Sequence, residues 1–184
     1  MKPSLLDFTK DELLANIKPS FRVKQIFGWL YHHYATQYDD MKNIPKNLKE
    51  ELSKNYIVNP LKIARKEEST DGTIKYLFEL QDGKTVEAVW LKMKDAQIDQ
   101  DGNILQEAKY TICVSTQVGC KVGCSFCLTA KGGFTRDLTP GEIVAQVVAL
   151  KRDNNHKHNR MLNIVYMGMG EPLDNLENLA KAIQ

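Results

Sequence analysis

The chain has 184 residues, of which 42% are hydrophobic, 26% charged and 8% aromatic, and its formal net charge is +2. This composition is typical of a globular protein. No apolar run reaches the roughly 18 to 20 residues of a membrane-spanning helix, and the N-terminus is charged too early for a secretory signal. We therefore expect a cytoplasmic protein with no membrane partner. Basic residues are most concentrated between residues 109 and 160, which suits a polyanion such as RNA, although a solvated basic surface explains the charge equally well.

Residues 1–60 predict a small helical module. Thr9 is suited to cap a helix over Lys10–Ile17, and apolar residues from Phe21 to Tyr34 recur at roughly helical spacing. A third short helix is expected after Pro45. The aromatic and basic side chains of this module are candidates for RNA contact, but packing into a core explains the aromatic residues as well.

Residues 61–108 predict a meander of β-strands. Two segments with strand-like composition, Thr73–Leu80 and Thr85–Met93, flank Asp82-Gly83, which is a strong signal for a hairpin turn. Two further Asp-Gly pairs, at positions 71–72 and 101–102, indicate turns of the same kind.

Residues 109–184 predict alternating strands and helices. Tyr110–Ser115 has the pattern of a strand, Thr139 begins a capping box for a helix, Met161–Met167 has the apolar character of a strand buried on both faces, and Asp174 begins a last helix. Two parallel strands cannot cover each other, and parallel sheets need several strands with helices on both faces. We therefore expect the chain to be the N-terminal part of a longer α/β enzyme.

All four cysteines lie within residues 113–127. Clustering of this kind in an intracellular chain indicates metal or redox chemistry more than a disulfide scaffold. Cys120, Cys124 and Cys127 form a C-x3-C-x2-C pattern, which is suited to a [4Fe–4S] cluster with one open iron. Zinc is the alternative, with His156 or His158 as a distant fourth ligand, and reduced structural cysteines are another.

The C-x3-C-x2-C loop, placed after a strand and with Phe126 before its last cysteine, resembles the signature of radical S-adenosylmethionine enzymes. The element from Met167 to Pro172 is similar to the family's GEP-type motif. Together with the segments 113–120 and 132–134, and with 21–31 for the helical module, these motifs resemble one branch, the dual-specificity adenosine C2-methyltransferases of ribosomal and transfer RNA. The resemblance extends along the entire chain.

The resemblance implies an α/β fold in which the helical module (1–60) and the short β-meander (61–108) precede the first βα units of an incomplete TIM-like barrel (109–184). It implies a [4Fe–4S] cluster on the three cysteines, and S-adenosyl-L-methionine bound by Gly170 and Glu171. An external electron donor would reduce the cluster. The expected substrates are 23S rRNA, and tRNA at the adenosine next to the anticodon.

The resemblance also assigns roles to Glu87 and Cys113. Glu87 is the only polar residue in an apolar strand, where desolvation would raise its pKa, and the family takes a glutamate at this position as the proton acceptor. A solvent-facing edge glutamate is the ordinary alternative. Cys113 is either a small buried apolar residue or the thiol that helps release methylated RNA through a transient disulfide.

No cysteine follows Cys127 in the sequence, so the family's methyl-carrying cysteine has no counterpart here. We accordingly expect the 184-residue chain alone to be inactive toward RNA. Two other functions remain open at this stage: methylation of adenosine C8, as in the antibiotic-resistance branch, and a non-catalytic iron–sulfur or zinc module that binds RNA.

Overall fold

The chain folds as helices packed against one face of a mixed β-sheet, in a computed structural model that describes all 184 residues. The α-helices are α1 (Lys10–Asn16), α2 (Ser20–Tyr31), α3 (Lys46–Asn55), α4 (Leu128–Lys131), α5 (Pro140–Asp153) and α6 (Leu176–Ile183). The strands are β1 (Leu61–Glu68), β2 (Ile74–Leu80), β3 (Thr85–Lys94), β4 (Gln97–Ile98), β5 (Ile104–Gln106), β6 (Lys109–Cys113), β7 (Gln117–Gly119), β8 (Phe134–Asp137) and β9 (Asn163–Val165). Short 3-10 helices occupy Leu5–Asp7, Tyr38–Asp40 and Pro172–Asn175. No helix combines the length and the apolar character needed to cross a bilayer.

The predicted N-terminal helices are confirmed. The Thr9 hydroxyl accepts a hydrogen bond from the Glu12 N–H, and the Glu12 carboxylate accepts one from the Thr9 N–H at 2.7 Å, so two otherwise unpaired donors are satisfied. The buried face of α2 consists of Val23, Ile26 and Leu30, which recur at the helical spacing of three and four residues.

The β-meander and the parallel strands form one five-stranded sheet in the order β1-β2-β3-β6-β9. The first four strands pair antiparallel, and β6 pairs parallel with β9. The predicted hairpin between β2 and β3 is present: Gly83 has φ +76°, and its N–H donates to the Leu80 carbonyl at 2.9 Å. A left-handed backbone of this kind favours glycine because it has no Cβ.

The prediction of a strand over Met161–Met167 that is buried on both faces is wrong. The strand covers only Asn163–Val165 and forms the edge of the sheet, where Ile164 is 40% exposed and Met161 is 91% exposed. The reason is that β9 has β6 on one side and no strand on the other. The five strands form an open sheet, so the structure contains an α/β arrangement with one parallel pair rather than a closed barrel.

Helix α5 connects the helical module with the sheet. It begins at the predicted capping box, in which the Thr139 hydroxyl accepts from the Glu142 N–H and Pro140 is the first helical residue. At its start, the Gly141 N–H donates to Asp7 Oδ1 at 2.7 Å. At its end, Arg152 Nη1 donates to the Tyr34 carbonyl at 3.0 Å. A continuous cluster of 28 buried apolar residues runs through the module, the sheet and α5.

The last helix begins later than predicted. Residues Pro172–Asn175 form a 3-10 turn, and α6 starts at Leu176 rather than at Asp174. The strands β7 and β8 were not predicted from the sequence. They pair antiparallel, with Gln117 opposite Asp137, and they enclose the three-cysteine segment between them.

Candidate active site

The three cysteines lie on a loop whose base is closed by β7 and β8. The Cys120 N–H donates to the Gly133 carbonyl at 3.0 Å, and the Cys127 N–H donates to the Cys124 carbonyl at 3.0 Å. Gly119 has φ +78°, and a Cβ at this position would lie 1.9 Å from the Gly133 carbonyl oxygen. The base of the cysteine loop can therefore close in this form only because residue 119 is glycine.

The donor set of this loop fits an iron–sulfur cluster. All three thiols are free, and each cysteine is partly exposed. Backbone N–H groups of Ala130 and Thr129 hold the pKa of Cys127 below its usual value, and the thiolate is the form that binds metal. No three metal-ligating side chains lie close enough to hold an ion by themselves, and the sulfur atoms must converge for a cluster to bind. His156 and His158 line a separate cleft that contains no cysteine, so the structure does not support them as further ligands.

The GEP-type element, residues 167–172, lies against the chain that leaves β6. The Gly168 N–H donates to the Val114 carbonyl at 3.1 Å, and the Met169 N–H donates to Ser115 Oγ at 2.8 Å. A Cβ on Gly168 would lie 2.7 Å from the Val114 oxygen, and one on Gly170 would lie 2.6 Å from Gln117 Cβ. Both glycines thus permit a backbone approach that a larger residue would prevent.

Gln117 joins the cysteine-loop hairpin to the GEP-type element. Its side chain is completely buried, its Nε2 donates to Asp137 Oδ1 at 2.8 Å, and its Oε1 accepts from the Glu171 N–H at 2.9 Å. The Glu171 carboxylate accepts from the Leu173 N–H at 3.3 Å. Gln117 lies in the segment 113–120, but the sequence assigns it no role. Its two partners are 20 and 54 positions away, and a glutamine in a strand does not indicate hydrogen bonds to residues so distant in sequence.

Ser115 is a second residue that sequence analysis missed. Its hydroxyl donates to the Glu87 carbonyl at 2.6 Å and accepts from the Met169 N–H, so it ties β3 to the GEP-type element. Its own N–H donates to Gln146 Oε1 at 2.8 Å, and its carbonyl accepts from Gln146 Nε2 at 3.0 Å. Both side chains are fully buried. Satisfied polar networks of this kind fix geometry, because any displacement leaves buried groups without partners.

The expected desolvation of Glu87 is wrong. Its side chain is 46% exposed, and its carboxylate forms an ion pair with Lys75 Nζ at 3.2 Å. The alternation of β3 explains this exposure: Val86, Ala88 and Trp90 face the core, whereas Glu87 lies on the opposite, partly open face with Val89. The carboxylate is accessible to a substrate from that face.

Cys113 lies on the same sheet face as Glu87. Cys113 is directly opposite Val89 across the antiparallel pair, so Glu87 occupies the diagonal position, roughly 7–8 Å away in sheets of this type. Partial burial raises the pKa of the Cys113 thiol, which keeps it neutral near pH 7. The structure therefore brings together the two residues that the sequence proposes for proton and thiol chemistry.

A cavity of about 780 Å³ lies elsewhere. It is enclosed by the helical module, α5 and α6, and none of the seven predicted site residues lines it. The candidate site is instead an open surface at the carboxyl ends of the parallel strands β6 and β9. In α/β folds, this end of the strands is where ligands usually bind.

Comparison with known proteins gives concordant results. Residues 4–58 match the family described as ribosomal RNA large subunit methyltransferase N-terminal domain. The dual-specificity RNA methyltransferase RlmN of Sulfurimonas denitrificans is 79% identical to this chain. That match covers the whole of this chain and 52% of the Sulfurimonas protein. The protein of the same name from Campylobacter jejuni is 56% identical to this chain. That match covers 98% of this chain and 51% of the Campylobacter protein. The crystal structure of a radical SAM methyltransferase from Sphaerobacter thermophilus is 42% identical with a TM-score of 0.83, covering 98% of this chain and 51% of that one. The chain thus spans about half the length of these relatives, and the resemblance predicted from the sequence is confirmed.

Proposed function

We propose that this chain, which is similar along its whole length to about half of the RlmN methyltransferases, carries the cluster-binding and radical-generating part of an RNA methyltransferase. The reaction is methylation of adenosine C2 in 23S rRNA and in tRNA next to the anticodon. In the complete enzyme, the open sheet of residues 109–184 begins a TIM-like barrel, preceded by the accessory module 1–60 and the β-meander 61–108. The enzyme acts in the cytoplasm and receives electrons from an external donor.

One observation carries this proposal: the cysteine loop and the GEP-type element are joined at the carboxyl ends of β6 and β9. The Glu171 N–H is held by Gln117, which stands three residues before Cys120. The Met169 carbonyl accepts from both the Thr116 N–H and the Gln117 N–H, at 2.9 and 3.2 Å. A cluster ligand and a cofactor-binding residue must be adjacent for one cofactor to contact both, and these hydrogen bonds support that arrangement.

Cys120, Cys124 and Cys127 would hold a [4Fe–4S] cluster, which supplies the electron that cleaves S-adenosyl-L-methionine. Gly170 would contact the cofactor through its backbone, and the absence of a side chain lets that backbone pack directly against Gln117. The Glu171 carboxylate is partly exposed and can accept hydrogen bonds from the cofactor's amino group or ribose. The exposed aromatic ring of Phe126, 91% accessible, lies beside the last cysteine, where it would help to exclude water from the bound cofactor.

Glu87 would act as the proton acceptor, and Cys113 as the thiol that assists product release. Their common position on the open sheet face supports both assignments, because one adenosine bound over that face reaches both side chains. Lys75 Nζ, 3.2 Å from the Glu87 carboxylate, fixes the position of that carboxylate on the open face.

The experiment that tests the cluster is anaerobic reconstitution of the chain with iron and sulfide. We expect one [4Fe–4S] cluster per chain, visible by its absorption and its reduced-state electron paramagnetic resonance signal. Alanine at Cys120, Cys124 or Cys127 should abolish it. Cys113→Ala is the matched control and should retain it, because Cys113 lies on β6 outside the cysteine loop. Stoichiometric zinc without iron absorbance would contradict the proposal.

Cofactor and RNA chemistry require separate measurements. S-adenosyl-L-methionine should perturb the resonance signal of the reduced cluster in the wild-type chain. Glu171→Ala should weaken that perturbation while the iron content stays the same. For methylation, the complete enzyme should be assayed with unmodified RNA, and the product nucleoside separated by chromatography and mass spectrometry. Methylation at C8 instead of C2 would refute the proposed regiochemistry.

A further inference from the structure

A second cleft, of about 440 Å³, gathers every histidine of the chain. His32 and His33 come from the end of α2, whereas His156 and His158 come from the loop after α5. The rings of His32 and His158 stack with centroids 4.4 Å apart. Two segments that are more than 100 positions apart in sequence thus place four imidazoles around one polar space.

The cleft is lined by cationic and neutral groups and by no acidic residue. Arg152 is already engaged, since it forms an ion pair with Asp40 at 3.0 Å and donates to the Tyr34 carbonyl. Lys151 and Lys157 form no ion pair. Lys151 Nζ lies over the Tyr34 ring, 5.2 Å from its centroid, and burial lowers the pKa of its ammonium group. Unpaired positive charge in a partly buried space favours binding of an anion.

Two buried polar atoms beside this space lack hydrogen-bond partners. They are the hydroxyl oxygen of Tyr34 and Nδ1 of His156, and both residues line the cleft. Tyr34 is 8% exposed and His156 is 6% exposed, so water does not readily satisfy either group. A buried polar atom without a partner costs roughly 1–3 kcal/mol, and such atoms are therefore rare unless a ligand pairs with them.

We propose that this cleft binds a phosphate group of the RNA backbone, with Tyr34 and His156 as buried polar partners, Lys151 and Lys157 as the surrounding charges, and His158 as a further ring at the opening. The anion site follows from the cleft itself, whereas RNA as the source of the phosphate rests on the proposed function. The cleft lies at the end of α5 opposite to Thr139. A helix of this length places the cleft about 20 Å from Thr139, which follows strand β8 of the cysteine-loop hairpin. A contact at that distance positions a large RNA and carries no base specificity.

Histidine NMR is the direct test, because every histidine resonance of the chain reports on this cleft. Inorganic phosphate added at constant ionic strength should shift several histidine ring signals with saturation, whereas chloride should not. Tyr34→Phe should leave the melting temperature unchanged or higher, since the hydroxyl has no partner to lose. The same variant should weaken phosphate binding about tenfold, which is the ordinary effect of removing one hydrogen bond to a charged ligand.

RNA binding by the same chain tests the source of the phosphate. Lys157→Ala should lower the slope of log affinity against log salt by about 1. Lys54→Ala is the matched control. It removes the same charge from an exposed lysine of α3 that does not line the cleft, and it should leave the slope unchanged. Identical slopes for both variants would overturn RNA as the source.

The outcomes separate this inference from the proposed function. Histidine signals that do not respond to phosphate, in a protein that holds its cluster and responds to S-adenosyl-L-methionine, would overturn the anion site alone. A protein without a cluster whose histidines still respond to phosphate would contradict the proposed function and support the site.

Discussion

Substituting Gly170 by alanine should damage the GEP-type element more than the same change at another left-handed glycine. Gly170 has φ +100°, a conformation that costs a residue with a side chain roughly 1–3 kcal/mol. The new methyl group would also lie 2.6 Å from Gln117 Cβ and 2.8 Å from the Gln117 nitrogen. Overpacking against a fixed backbone adds roughly 1–3 kcal/mol. We therefore expect a total loss of about 2–6 kcal/mol in the free energy of unfolding.

Two other glycines provide matched controls. Gly133 has φ +71°, but the space where its Cβ would lie is open. Gly133→Ala should therefore lower the free energy of unfolding only through the left-handed backbone, by about 1–2 kcal/mol. Gly28 lies inside α2, also with open space around it, and Gly28→Ala should stabilise the protein by about 1 kcal/mol through helix propensity. The three variants separate side-chain overlap, backbone strain and helix propensity.

Urea unfolding followed by circular dichroism measures these differences, and each kcal/mol should shift the melting temperature by roughly 2–4 °C for a chain of this size. Hydrogen exchange adds a local readout, because the N–H groups of Met169 and Glu171 are bonded to Ser115 and Gln117. Gly170→Ala should accelerate exchange at both amides. If its unfolding free energy and its exchange rates equal those of Gly133→Ala, the argument from close approach is refuted.

Three further predictions concern charged residues. In the complete enzyme, Glu87→Gln should retain the cluster and slow RNA methylation by roughly 10²- to 10⁴-fold; unchanged methylation would show that Glu87 is only a surface partner of Lys75. Arg136→Ala should cost about 3 kcal/mol in urea unfolding, because it leaves the buried Glu142 carboxylate without its partner at 2.8 Å; a loss below 1 kcal/mol would contradict this. Arg136 also holds the pKa of Asp82 below its usual value, so this pair stabilises the fold above about pH 4 and the contribution is lost as the pH falls further. In Asp82→Asn, the free energy of unfolding should fall less steeply between about pH 5 and pH 2 than in the wild type. An unchanged pH dependence would exclude this pair as its cause.

Features that depend on neighbouring residues could be predicted from the sequence. The capping boxes at Thr9 and Thr139 and the hairpin at Asp82-Gly83 each involve groups within four positions of one another, so their geometry follows from local backbone chemistry. The spacing of the three cysteines is likewise local; by itself it favoured an iron–sulfur site and left zinc open, and the family followed from the resemblance of several motifs taken together.

Contacts between distant segments, by contrast, became visible only in the folded structure. Gln117 and Glu171 are 54 positions apart, and Arg152 and Tyr34 are 118 positions apart, so no local pattern predicts their hydrogen bonds. The exposure of Glu87 and of β9 depends on which strands and helices cover each face of the sheet, and strand periodicity alone cannot supply that information. The histidine cleft has the same origin, because its walls come from α2 and from the loop after α5. Long-range packing selects these contacts, since the free energy of burial belongs to the assembled core and not to any single segment.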